Sequence, residues 1–176
     1  KINSTIIFMP PIIFIACMLF SAHTLTWNTA CVAIVYYFLC GLGITAGYHR
    51  MFAHKAYRGV RLLEAFWAFW GGGAFQGSCL WWSRTHRIHH RYIDSDKDPH
   101  NAHRGFWYTH VGWMIMQQDP SILGRVDIGD LKANPVVMFQ HRNYLAVATT
   151  AGIILPTLTC GLLDGDYLGG FLYAGL

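Results

Sequence analysis

From Ile2 to His49 the chain carries no Asp, Glu, Lys or Arg. A membrane-spanning helix needs roughly 20 apolar residues, so this run is long enough for two. Its middle, Ser21-Ala22-His23-Thr24-Leu25-Thr26-Trp27-Asn28, is polar enough for a short turn. Helices are therefore expected over about 4–21 and 28–47. Pro10 and Pro11 would kink the first, which lipid-embedded helices tolerate. A second uncharged run, Asn143 to Leu163 with Pro156 inside it, predicts a span over about 143–163, and about 167–176 reads as the start of a fourth.

The basic residues orient these helices. Lys1 precedes the first, and the other twelve Lys and Arg all lie between Arg50 and Arg142. Lys and Arg collect on the cytoplasmic side of membrane proteins. Segment 48–142 is thus expected in the cytoplasm, with the turns at 22–27 and 164–166 on the far side. The expected fold class is all-α: a polytopic membrane helical protein with a cytoplasmic, helical, His-rich cap. The alternative is a buried helical hairpin in a soluble protein. Only 12% of residues are charged, against about 25% in average soluble domains. That excludes a disordered chain or a coiled coil, and a net charge of +4 on so few charges does not make a nucleic-acid groove. The five Cys show no CxxC pairing and read as free thiols in a reducing setting. No cleavable signal peptide is legible. Residues 65–83 are uncharged but broken by Gly71-Gly72-Gly73 and Gly77, and read as an interfacial or partly buried helix on the cytoplasmic side.

Two histidine clusters carry the chemistry: His49 with His54, and His86 with His89 and His90. On a helix at about 100° per residue, His86, His89 and His90 fall within an arc of roughly 100°, with Trp82 on their side. Arg84, Arg87 and Arg91 lie about 140° away. Neutral imidazole suits Zn, Fe, Cu and Ni; the alternative is a structural or pH-sensing cluster. His49 and His54 lie about 140° apart on an ideal helix, so they share a site only if the helix ends or kinks there, or if they serve two ions. A crossing at 65–83 would put the two clusters in different compartments. No Cys neighbours them and HExxH is absent, which disfavours structural or hydrolytic zinc. A His-rich iron site beside lipid fits oxygen chemistry on an apolar substrate.

Gly43-Ile-Thr-Ala-Gly-Tyr-His49-Arg50, His54, Trp82-Ser-Arg84-Thr-His86-Arg-Ile-His89-His90-Arg91, Asp98-Pro-His100-Asn101 and Arg104-Gly-Phe-Trp-Tyr-Thr-His110-Val-Gly-Trp113 together resemble the membrane acyl-CoA Δ9 desaturases, the stearoyl-CoA desaturase family. The resemblance covers nearly the whole chain. It implies one fatty acid desaturase domain over 1–176, truncated, with His49, His54, His86, His89 and His90 as ligands of two Fe ions. The family completes that centre with a third histidine box, a further His and an Asn-held water, none of them present here. The piece alone is thus expected to be inactive, with His100, His103 and His110 structural or near the thioester end. The implied activity is insertion of a cis double bond, at Δ9, into a saturated fatty acyl-CoA. It uses O2 and electrons from NADH through a reductase and cytochrome b5, in the endoplasmic reticulum membrane with the His boxes cytoplasmic. The alternatives are a related His-box di-iron lipid hydroxylase and a non-enzymatic membrane haem- or metal-binding protein.

The resemblance also assigns a substrate path. Trp82 matches a tunnel wall beside the metals, Gln76 a polar residue near the acyl bend, and Tyr37 and Gly41 the closed end; for the last two, packing between the first two helices is the alternative. Arg84 matches a coenzyme A contact, as does Asn3 in a looser alignment. Gln117-Gln118 stands where mammalian members carry a basic pair, and Gly77 replaces an Asn near the carbonyl. Arg87, Arg91 and Lys97 are the candidates to compensate.

Overall fold

A computed structural model of the chain describes residues 2–20, 25–116 and 118–176. The residues expected to turn the chain at 21–24, the side chain of Asn3, and Gln117 lie outside that description. Among the described residues all regular structure is helical. Helix α1 spans Ile2–Phe20 with Pro10 and Pro11 inside it. Helix α2 runs unbroken over Trp27–Ala53. The Thr26 hydroxyl caps it, accepting from the Thr29 N–H at 3.1 Å, as a β-region residue before an apolar helix is suited to do. It continues well past residue 47 because its last part, Gly43–Ala53, is wound with wide i→i+5 turns.

Helix α8, Tyr144–Asp164, is the other helix long and apolar enough to cross a membrane. Only 22% of the apolar window of α2 and 28% of that of α8 is buried. Ile34, Val35 and Phe38 on α2, and Leu158, Leu162 and Leu163 on α8, stand exposed. A hairpin at the core of a soluble protein would bury these faces, so the buried-hairpin alternative does not fit. Gly165, at φ 78°, ends α8 in the left-handed conformation, and helix α9 follows over 167–175. The Thr26 and Thr29 hydroxyls donate to Asp164 and Asp166 at 3.0 and 2.5 Å. The start of α2 and the α8–α9 turn therefore share one end of the molecule.

Between them lies a helical hairpin. Helix α3 (Arg61–Gly73) and helix α4 (Cys79–Tyr92) are separated by a tight loop in which Phe75 and Gly77 have φ of 55° and 93°. The uncharged stretch 65–83, expected as one interfacial or partly buried helix, is instead the end of α3, a loop and the start of α4. The Gly-rich end of α3 wedges between α2 and α8. A Cβ on Gly43 would lie 2.2 Å from the Gly71 nitrogen, and one on Gly73 2.9 Å from Cys40 Sγ and 3.1 Å from Ala151 Cβ. Only glycine permits that approach. The chain then returns along α4, whose Ser78 cap accepts from the Trp81 N–H, and ends beside the end of α2 from which α3 set out. A short helical segment α5 (108–115), helix α6 (Gly129–Ala133) and helix α7 (Pro135–Arg142) complete the layer.

The core sits where these elements meet the wide-wound end of α2: Ile44, Tyr48, Met51 and Phe52 pack with Ala68, Cys79, Leu80, Leu131 and Val137. One polar chain threads it without an orphan. Gln140 Nε2 donates to the Tyr48 hydroxyl at 2.7 Å, and its Oε1 accepts from the Cys79 N–H at 3.0 Å. Buried amides are stable only when paired in this way.

Candidate metal centre

The wide winding of α2 settles how His49 and His54 converge. In an i→i+5 turn the residue five places on returns over the first, and the His54 N–H donates to the His49 carbonyl at 2.9 Å. The two ring centroids are 4.5 Å apart, although an ordinary helix would point the rings away from each other. Helix α4 brings His86 and His90 to the same place, their rings also 4.5 Å apart. One ligand nitrogen from each of His49, His54, His86 and His90 lies within 4.8 Å of the others. His89 stands beside this group, its ring 5.5 Å from that of His90, with Nδ1 turned to the buried Asp98.

The donor set fits a cation. His54 Nε2 lies 3.1 Å from His49 Nε2 and 3.0 Å from His86 Nε2. A neutral imidazole nitrogen carries either a proton or a lone pair, so it cannot donate to one neighbour and accept from the other. A bound cation would take the lone pair of each nitrogen and relieve that conflict. Burial and the neighbouring His90, His49, His54 and His89 push His86 down to about 3. Burial, then His49, His90 and Arg87, lowers His54. Both stay neutral at physiological pH, the form that binds metal.

Arg87, in the midst of the second cluster, is locked. Its Nε and Nη2 donate to the Ala53 and Phe52 carbonyls at 3.0 and 2.7 Å. Its Nη1 reaches the Asp127 carbonyl at 2.9 Å, and its fork grips both Asp130 oxygens at 2.8 Å. Those contacts tie the last carbonyls of α2, just before His54, to α4. Arg87 is therefore not available to a phosphate. Arg91 reaches the Arg125 carbonyl at 3.4 Å, and Lys97 lies over the Tyr92 ring.

A cavity of about 1350 Å³ opens from the cluster, lined mostly by apolar groups. His86 and Trp82 line it beside the imidazole cluster, their rings stacked at 4.9 Å. The Trp82 indole N–H donates to Gln76 Oε1 at 3.2 Å, and Gln76 and Tyr37 also line the cavity. Gly41 is not part of the wall, and a Cβ there would meet nothing within 4 Å. Arg84 is exposed and lies outside the wall too.

Several groups escaped the sequence reading. Ser78 and His141 hydrogen bond at 2.6 Å on the cavity wall, and the Tyr144 hydroxyl accepts from the Gly77 N–H at 3.0 Å. His100, which the sequence reading did name, also lines the cavity, and its buried Nε2 has no hydrogen-bond partner among the described residues. No spacing rule couples residues 63 or 67 positions apart. His110 stacks on Phe106 at 4.1 Å, away from the cluster.

Residues 7–175 match the family model described as fatty acid desaturase. A protein named "Probable acyl-CoA desaturase" from Schizosaccharomyces pombe is 56% identical over 149 residues, 85% of this chain and 31% of the relative. A Delta(9)-fatty-acid desaturase of Caenorhabditis elegans is 38% identical over 75% of this chain and 40% of its own length. An acyl-CoA Delta(11) desaturase of Trichoplusia ni is 40% identical over 75% of this chain and 39% of its own. The chain thus spans less than half the length of these relatives.

Proposed function

The chain belongs to the fatty acid desaturase family, and from that membership we propose that it forms the acyl tunnel and the first two histidine boxes of a membrane acyl-CoA desaturase. The observation that carries this reading is the imidazole cluster opening, at His86 and Trp82, into a long apolar cavity. An acyl chain needs such an apolar slot with few polar groups at defined points. His49, His54, His86, His89 and His90 would hold two Fe ions, with the remaining ligands supplied by the longer sequence that the relatives possess. On that reading the present length alone is inactive. When bound, the iron pair supplies the oxidising power, drawn from O2 and from electrons of cytochrome b5 and its reductase. That chemistry would turn two adjacent methylenes into a cis double bond, with O2 reduced to water.

The residues present have their own tasks. Trp82 and Gln76, fixed to each other, bound the tunnel beside the cluster and set the carbon presented to it. Apolar walls keep water away from the reacting carbons. The proposed product is the Δ9 alkene. A Delta(9) and a Delta(11) relative stand at nearly equal identity, so the bend at Trp82–Gln76, rather than overall likeness, is what we take to decide the position. The basic segment 48–142 would face the cytoplasm from the endoplasmic reticulum membrane, where exposed Arg84 meets the coenzyme A phosphates. Asn3 keeps its proposed role at the coenzyme, and Tyr37 rather than Gly41, which stands off the wall, keeps the proposed role at the closed end.

The test is a desaturase-deficient cell expressing the full-length protein, fed saturated fatty acid, with products resolved by gas chromatography. The expected result is a cis-Δ9 alkene that disappears with His86→Ala. An alcohol would favour the hydroxylase reading, and a haem band in the purified protein the binding-protein reading.

A further inference from the structure

The Asp98-Pro-His100-Asn101 stretch lies in the loop after α4, and nothing in the proposed ligand set uses it. Asp98 is a carboxylate whose side chain is 0% exposed. Its oxygens are fully engaged. The Asp94 N–H donates to Oδ2 at 2.9 Å and the His100 N–H to Oδ1 at 2.8 Å. His89 Nδ1 lies 3.0 and 2.9 Å from the two oxygens. An ionised carboxylate can only accept, so His89 must be the donor there, with its proton on Nδ1.

We infer that Asp98 is a positioning residue for His89, fixing the tautomer that leaves the Nε2 lone pair free for the metal. The alternative, Asp98 as a ligand itself, fits less well, because both oxygens are already committed to backbone N–H groups and to the imidazole. Histidine ligands commonly donate their second N–H to a carboxylate, and losing that partner weakens metal binding about 10–100-fold. Burial sharpens the effect, since no water reaches Asp98 to replace the imidazole. The loop thereby converts a nine-residue separation into a rigid bracket, and one face of α4 gains a ligand of defined orientation. The inference rests on the di-iron reading of the cluster.

The experiment uses the full-length protein in detergent, stripped of metal and titrated with Co2+ against a competing chelator. Asp98→Asn can turn its amide to donate to Nδ1, forcing the proton onto Nε2. We expect a cobalt affinity about 10–100-fold weaker and an altered visible ligand-field band. Asn101→Ala disturbs the same loop, where the Asn101 side chain accepts from the His103 N–H, without touching His89, and should leave the band unchanged. Nitrogen-15 NMR of the stripped wild type should find the His89 proton on Nδ1. An Nε2–H tautomer there, or an Asp98→Asn protein with wild-type affinity and band, overturns the inference. So does an Asn101→Ala protein that loses affinity and band to the same degree. A wild type that takes up neither iron nor cobalt sinks the di-iron reading itself, a failure separable from the others.

Discussion

Arg87→Ala removes the side chain that ties the end of α2 to α4. The side chain makes five hydrogen bonds to four partners: the Phe52, Ala53 and Asp127 carbonyls and the Asp130 carboxylate. Arg87 is 13% exposed and Asp130 36%, so part of the ion pair is screened by water. The two α2 carbonyls are the costlier loss, because they end a helix against packed protein and, among the described residues, have no other donor in place. Asp130 keeps Lys55 at 3.1 Å. Leaving the two helix-end carbonyls without their charged donor costs about 1–3 kcal/mol, and the partly exposed pair with Asp130 adds at most about 1 kcal/mol, which lowers the melting midpoint by several degrees. The same loss frees the end of α2 from α4, so His54 no longer sits fixed against His86 and His90, and iron content should fall with stability. The assay is thermal unfolding of the full-length protein in detergent, followed by size-exclusion recovery, with iron measured on the same samples. Arg87→Lys keeps the charge without the planar fork and should recover less than half of the deficit. An Arg87→Ala protein within about 0.5 kcal/mol of wild type, with full iron content, would refute the clamp.

Other outcomes follow from the same geometry. The hydrogen bond from Arg87 holds the Asp130 carboxyl below its ordinary value of 3.8, with Lys55 assisting. Stability from this pair should be complete above about pH 4 and lost as pH falls further, a loss that Asp130→Asn abolishes. Gly71→Ala would place a Cβ 2.5 Å from the Tyr48 ring, and overpacking of that kind should cost about 1–3 kcal/mol in a thermal melt. Gln140→Leu leaves the buried Cys79 N–H and Tyr48 hydroxyl without their partner and should lose about 1–3 kcal/mol in the same measurement. Gln76→Leu removes the acceptor of the Trp82 indole; product analysis should find a broader spread of double-bond positions, and an unchanged single isomer would count against the bend.

Much of the fold and of the candidate site is legible along the chain, because those signals are local. The uncharged runs from Ile2 and from Asn143, and the confinement of basic residues to 50–142, depend on composition along the chain, which solvent and lipid read directly. The arc of His86, His89 and His90 needs only the period of a helix, and the structure places them on one. Tertiary structure decided the rest. His49 and His54 were expected to share a site only if the helix ends or kinks there or if they serve two ions, and it is the wide-wound end of α2, packed against α3 and α4, that joins them, a winding that isolated helical periodicity does not anticipate. The break at Phe75 and Gly77, and the wedge of glycines between α2 and α8, make a hairpin of the stretch expected as one interfacial helix and return both clusters to one end. Asp98 on His89, and Asp130 on Arg87, join residues whose spacing follows no helical period. Their pairing is legible only once burial has removed water as the competing partner.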